Sequence, residues 1–153
     1  VNKPFYHQLT FTHEQIKLIF GGIRIMAKLT DEMKTLISEV RLGIAATADK
    51  SGMPNASFKG SVQVLDDEHL IFADIMSPKT RKNLMENNKI CILVGDHKKM
   101  VGYQFKGEAE LINEGELYDK VCAGVAAMKM NLPKPAYVVK IKIDEICGAP
   151  AAR

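Results

Sequence analysis

The chain has 153 residues, 46% of them apolar and 25% charged, close to the globular average. That length suits one domain with a hydrophobic core of its own. The net charge is +3 and the lysines are spread along the chain, so the composition does not describe a nucleic-acid-binding protein. The densest basic run, Lys79-Thr80-Arg81-Lys82, has no interleaved aromatics and reads as a solvated helix face. No apolar run approaches the roughly 20 residues that span a bilayer, so no membrane association is expected. Cys91, Cys122 and Cys147 form no C-x-x-C pair and read as idle thiols of a reducing cytoplasm, where the protein is placed. His7, His13, His69 and His97 lack metal-ligand spacing, and no metal site is expected.

Residues 1–25 differ in character from the rest of the chain and form an amino-terminal extension to a domain over 26–153. Thr12-His13-Glu14-Gln15 has capping-box spacing, and Ile16 to Phe20 can continue as a docking helix that stops at Gly21-Gly22. Alternatively, Met26-Ala27-Lys28-Leu29 resembles a bacterial start. Gly-Gly can be encoded by GGAGGN, which contains a ribosome-binding sequence, and the extension is then a translated leader. Both readings stand.

Thr30, followed by Asp31 and Glu32, predicts a helix start, and Met33, Leu36, Ile37 and Val40 make an amphipathic stripe. Leu42 to Ala48 predicts a strand that ends in the turn Asp49-Lys50-Ser51-Gly52. Asn55 to Leu65 predicts a second strand, with Gly60 marking a bulge or a close approach. A polar loop at 66–69 leads to a third strand, Leu70 to Ile75. Ser77 as cap and Pro78 at the first position predict a helix to about Glu86. Ile90 to Val94 and Met100 to Ile112 are strands. Asn113 is placed as the cap of a third helix carrying Leu117, Val121 and Val125, and Pro133 and Pro135 end that region. Tyr137 to Ile143 closes the pattern, with Val139, Ile141 and Ile143 on one face and Lys140 and Lys142 on the other.

About six strands and three helices without strict βαβ alternation exclude a doubly wound sheet. The expected fold is mainly β: an antiparallel six-stranded split barrel, Greek-key-like, with about three flanking helices.

One stretch carries chemistry. The start of the helix at Ser77-Pro78-Lys79-Thr80 offers free N–H groups and a partial positive charge, to which Lys79 adds a cation and Thr80 a hydroxyl. Phosphate suits such a site. Alone, the pattern is also that of an ordinary capped helix with a solvated lysine.

The pieces around it, in order, are Gly43-Ile44-Ala45-Ala46-Thr47, Gly52-Met53-Pro54-Asn55-Ala56, Leu70-Ile71-Phe72-Ala73-Asp74, Ser77 to Leu84, Glu86-Asn87-Asn88-Lys89, Val101 to Ala109 and Pro135 to Ile141. This ordered set resembles the FMN-binding split-barrel superfamily, the pyridoxamine 5'-phosphate oxidase-like proteins. The resemblance implies FMN as cofactor. It implies that Ser77, Lys79 and Thr80 hold the phosphate, with Asn83 supporting their helix. Ser57, Phe58 and Lys59 would lie along the isoalloxazine, and Ala73 and Asp74 along the ribityl chain. It also implies a homodimer with flavin at the interface, to which Gln104 and Tyr103 contribute from the partner. No catalytic residue is implied, and the small-molecule or protein redox partner is not specified.

The chain departs from the true pyridoxamine-phosphate oxidases. It lacks their arginine-rich strand before the phosphate segment, has no Trp, and after Ile146 has only Cys147 to Arg153. The shorter bacterial FMN-binding proteins are the better match. The expectation is a redox flavoprotein, an electron carrier or small-molecule oxidoreductase, in which a cation such as Lys59 favours negative charge on the reduced ring. The alternatives are a module that stores or senses FMN, a split barrel for haem or a deazaflavin, and a cofactor-free domain used for protein contacts.

Overall fold

A computed structural model describes residues 28–149; the extension and its boundary at Met26 lie outside the described residues. Helix α1 (Asp31–Val40) forms as its capping residues dictate. Thr30 Oγ1 accepts the Met33 N–H at 3.3 Å, Asp31 and Glu32 occupy the first turn, and Met33, Leu36 and Ile37 are buried. The helix stops at Arg41, which takes a left-handed φ of 52° and donates its N–H to the Ile37 carbonyl.

Strands β1 (Gly43–Ala48) and β2 (Pro54–Lys59) pair antiparallel across the 49–53 turn. The strand expected from Asn55 to Leu65 is broken after Lys59, and β3 (Gln63–Val64) is a separate short strand. This break makes seven strands rather than six. After β4 (His69–Asp74) comes α2 (Pro78–Glu86), then β5 (Lys89–Asp96), β6 (Val101–Ile112), α3 (Glu116–Ala127) and β7 (Tyr137–Ala149). β7 runs well past the expected end at Ile143 because it continues along the long β6.

Two expected caps are replaced. Ser77 does not cap α2 with its side chain; its hydroxyl donates to Asp74 Oδ1 at 2.7 Å instead. α3 begins after Gly115, whose φ of 90° suits glycine, and not at Asn113.

All strands pair antiparallel, in the order β2-β1-β5-β6-β7-β4-β3. The two edge strands are consecutive in the chain, with only residues 60–62 between them. A link of that length spans at most about 14 Å from Lys59 to Gln63, so the sheet must curl until its edges approach. The result is the expected mainly β, antiparallel open barrel, with three helices among the described residues. A bulge between β6 and β7 sharpens the curl: Lys106 pairs with Glu145 and Gly107 with Ile143, leaving Asp144 extra. A Cβ at Gly107 would lie 1.8 Å from the Lys142 carbonyl oxygen, so glycine alone fits there. The barrel interior is filled by Leu70, Phe72, Ile92, Phe105, Ile141 and Ile146, all nearly inaccessible.

Candidate functional site

Strand β2 turns its polar residues inward. Asn55 and Ser57 are half-buried and Lys59 is buried, whereas Ala56 and Phe58 on the other face are exposed. The inner row meets the start of α2. Asn55 Nδ2 donates to Thr80 Oγ1 at 3.2 Å and to Thr47 Oγ1 at 3.4 Å, and the hydroxyls of Ser57 and Thr80 are 3.0 Å apart. Asn83 Nδ2 donates to Thr47 Oγ1 at 3.1 Å, and its own Oδ1 is buried without a hydrogen-bond partner. Thr80 is 1% and Asn83 0% exposed, so α2 is fastened to β1 and β2 through a buried polar network.

Asp74, at the end of β4, fixes α2 from the other side. It is 1% exposed and accepts from Ser77 Oγ and from Arg81 Nε, the latter at 2.5 Å. The Arg81 guanidinium also stands over the Tyr137 ring, 5.8 Å from its centroid.

Lys59 is the unusual group. Its ammonium makes no hydrogen bond or ion pair with any described residue and lies 5.4 Å from the centroid of the Phe72 ring. Burial pulls its pKa below that of a free lysine, opposed by the negative charge of Asp74. It forms part of the wall of a cleft of about 310 Å3, together with Ser57, Phe58, Ala73 and Ser77. Met76, Val125, Met128, Met130 and Leu132 add apolar side chains to the lining. The cleft therefore combines hydroxyls and a cation with thioethers and hydrocarbon.

Lys79 stands at the first turn of α2, exposed, with Nζ 3.2 Å from Asp49 Oδ2. Asp49 organises the β1–β2 turn by accepting from the Ser51 hydroxyl, the Ser51 N–H and the Met53 N–H. The Ser51 hydroxyl and these other donors hold its pKa down at about 2.

The structure thus places Ser57, Lys59, Ala73 and Ser77 on one cleft, with Phe58 at its edge and on the exposed outer face of β2. Asp74, Thr80 and Asn83 are buried beside it and Lys79 lies at the helix start. Gln104 lies elsewhere, on the outer face of β6 between Leu93 and Cys147, with Cys91 Sγ 3.9 Å from its Oε1. Tyr103 corrects an expectation. It is 2% exposed and its hydroxyl reaches Glu32, so it belongs to the core of its own chain and cannot serve a partner. Sequence reasoning did not single out Thr47, Asn55, Asp49 or Arg81 as functional. A signal for Asn55 was present: polar residues at 55, 57 and 59 alternate with Ala56 and Phe58, the pattern of a strand with a polar inner face.

The fold is an open antiparallel barrel with a part-polar cleft at the start of a helix. A family profile described as pyridoxamine 5'-phosphate oxidase matches residues 29–147, and the chain belongs to that family. It is 42% identical over 134 residues to an uncharacterized protein of Methanocaldococcus jannaschii, covering 85% of each chain. Among solved structures, HupZ of Group A Streptococcus superposes with a TM-score of 0.72 at 31% identity, over 82% of this chain and 98% of that one. An FMN-binding protein from Syntrophomonas wolfei shares the fold at TM-score 0.68 and 21% identity, over 80% and 87%. HutZ, the haem storage protein of Vibrio cholerae, shares it at TM-score 0.61 and 19% identity, over 78% and 94%.

Proposed function

We propose that the chain binds FMN in the cleft beside β2 and works as a redox flavoprotein, an electron carrier or a small-molecule oxidoreductase. The observation that carries this reading is Lys59. A buried lysine normally has an anionic partner, because desolvating an unpaired cation is costly. Here no described group is bonded to the ammonium, and the cleft wall is where it stands. A ligand that carries or develops negative charge supplies the missing partner. The first turn of α2, with the Ser77 and Thr80 N–H groups and Lys79, suits the phosphate of the same ligand. The Lys79–Asp49 pair lies at the surface, where solvent screens it, so Lys79 can exchange Asp49 for phosphate at little cost. The apolar wall of Val125, Met128, Met130 and Leu132 suits a flat aromatic ring.

FMN, when bound, supplies the hydride and electron transfer. The protein's part is to hold the phosphate at α2, to place Lys59 where negative charge develops, and to keep water from the ring with the methionine wall. A homodimer belongs to this reading. The outer face of the sheet presents Phe58, Ile44 and Leu93 in one cross-strand row, a surface that a second copy would cover, and Gln104 follows Leu93 in that row. Haem is the weaker alternative. It asks for an axial ligand, whereas His69 is bonded to Asp66 and His97 sits in the turn after β5, neither on the cleft.

The test is a visible absorption spectrum of the purified protein before and after FMN is added and free flavin is removed by gel filtration. Flavin bands should stay with the protein. Lys59→Met and Lys79→Ala should each weaken binding about tenfold or more, as expected for hydrogen bonds to a charged group. A colourless protein that ignores added FMN overturns the reading. Bands that persist but are not bleached by NADH, NADPH or another donor point to FMN storage or sensing instead.

A further inference from the structure

A second chamber adjoins the cleft. It has a volume of about 530 Å3 and lies between α1 and the 60–64 segment, sharing Gly60, Ser61 and Met128 with the cleft. That size is within the roughly 300–1,000 Å3 of small-molecule pockets. Ile37, Val62 and Val64 give it an apolar floor, and Arg41 and Gln63 give it a polar rim.

Arg41 is held in an uncommon way. It occupies the left-handed position that ends α1, where glycine is the usual residue, and a bulky side chain there is strained. Its Nε donates to the Ser38 carbonyl at 3.1 Å, which fixes the guanidinium. The terminal nitrogens make no hydrogen bond or ion pair with a described residue. Lys34, the other cation of the chamber, differs: it is engaged by Asp67 at 2.6 Å. Arg41 is therefore a solvent-exposed cation, tethered through Nε, on the rim of a chamber with an apolar floor. The glycine between chamber and cleft has an ordinary φ, and a Cβ on it would meet nothing within 4 Å. The fold does not require glycine at 60, and the space it faces is open.

We infer that this chamber binds a small organic carboxylate, with its anionic group on Arg41 and its apolar body toward Gly60 and Met128. Guanidinium and carboxylate match as a two-pronged pair, and the floor matches an aromatic or branched aliphatic body. The anion site does not rest on the FMN reading.

The experiment uses the full chain and 4-fluorobenzoate, followed by fluorine NMR, with and without FMN. The probe should bind the FMN-free protein, and neutral 4-fluorobenzamide should bind about tenfold more weakly. Arg41→Gly is the decisive variant, because glycine relieves the left-handed residue and should leave the fold intact or stabilised. It should weaken probe binding about tenfold, while Arg41→Lys keeps part of it. The inference is overturned if the probe does not bind, if Arg41→Gly leaves its affinity unchanged, or if FMN displaces it, which would place it in the cleft. Arg41-dependent binding in a protein that refuses FMN would uphold the anion site and sink the flavin reading.

Discussion

Strands β2 and β7 follow the same alternation with opposite polarity. In β7, Val139, Ile141 and Ile143 are buried while Lys142 is exposed. In β2, Asn55, Ser57 and Lys59 turn inward while Ala56 and Phe58 face out. A strand whose pattern stabilises the fold looks like β7. Asn55 and Ser57 of β2 fasten α2, but a buried cation and an exposed phenyl ring add little to the isolated fold, so Lys59 and Phe58 point to contacts the chain does not make with itself. On the proposed reading those contacts are with FMN on the inner face and with a second copy on the outer face.

The contrast is sharpest in a pair of substitutions. Ile141→Ala leaves a cavity in the most enclosed part of the barrel and should cost about 2–5 kcal/mol of unfolding free energy, read from denaturant titration. Lys59→Met keeps most of the length of the side chain and removes a desolvated charge. The FMN-free protein should be as stable or more stable, while FMN binding suffers. If Lys59→Met destabilises the FMN-free protein as much as Ile141→Ala does, β2 is an ordinary structural strand and the contrast fails.

The outer face gives the next largest effect. Leu93 is 40% exposed on β5, in register with Ile44 and, through it, with Phe58. Leu93→Lys should leave the stability of the single chain within about 0.5 kcal/mol, as surface changes do. It should cost the proposed dimer about 2 kcal/mol or more, as a charge placed at the centre of an apolar interface does. Analytical ultracentrifugation across a concentration series reads both. An unchanged dimer means that another face joins the copies.

Much of the fold is legible in the sequence where local chemistry decides the outcome. The Thr30 cap, the Met33-Leu36-Ile37 stripe and the Val139-Ile141-Ile143 face all follow from residues a few positions apart, and the structure has them. The features that sequence reasoning misses depend on distant partners. Nothing near Ser77 says that its hydroxyl will turn to Asp74 rather than cap its helix. The break after Lys59 follows from curling the sheet until its edges meet, which no local pattern encodes. Tyr103 and Gln104 are neighbours in sequence, yet strand alternation sends one into the core and the other to the outer face. The residues gathered on the cleft are legible only through a family resemblance; their own pattern reveals no more than that the inner face of β2 is polar.

The smallest effect concerns the turn that positions Lys79. Asp49 has a pKa of about 2 in the folded chain against a reference of 3.8. Its folded value is depressed, so its contribution to stability is fully present above about pH 4 and is lost as the pH falls toward 2. The carboxylate lies at the surface, where solvent screens it, so the effect is modest. Asp49→Asn keeps an acceptor oxygen for the Ser51 and Met53 N–H groups but removes the charge from Lys79. The variant should be slightly less stable than the parent near neutral pH, and the gap should close as acid titrates the parent's carboxylate. Urea midpoints for both proteins, measured from neutral pH down to about pH 2.5, read this directly. A gap that stays constant would mean the turn owes its geometry to hydrogen bonds alone. The Lys79–Asp49 pair would then do no more than hold Lys79 beside the start of α2.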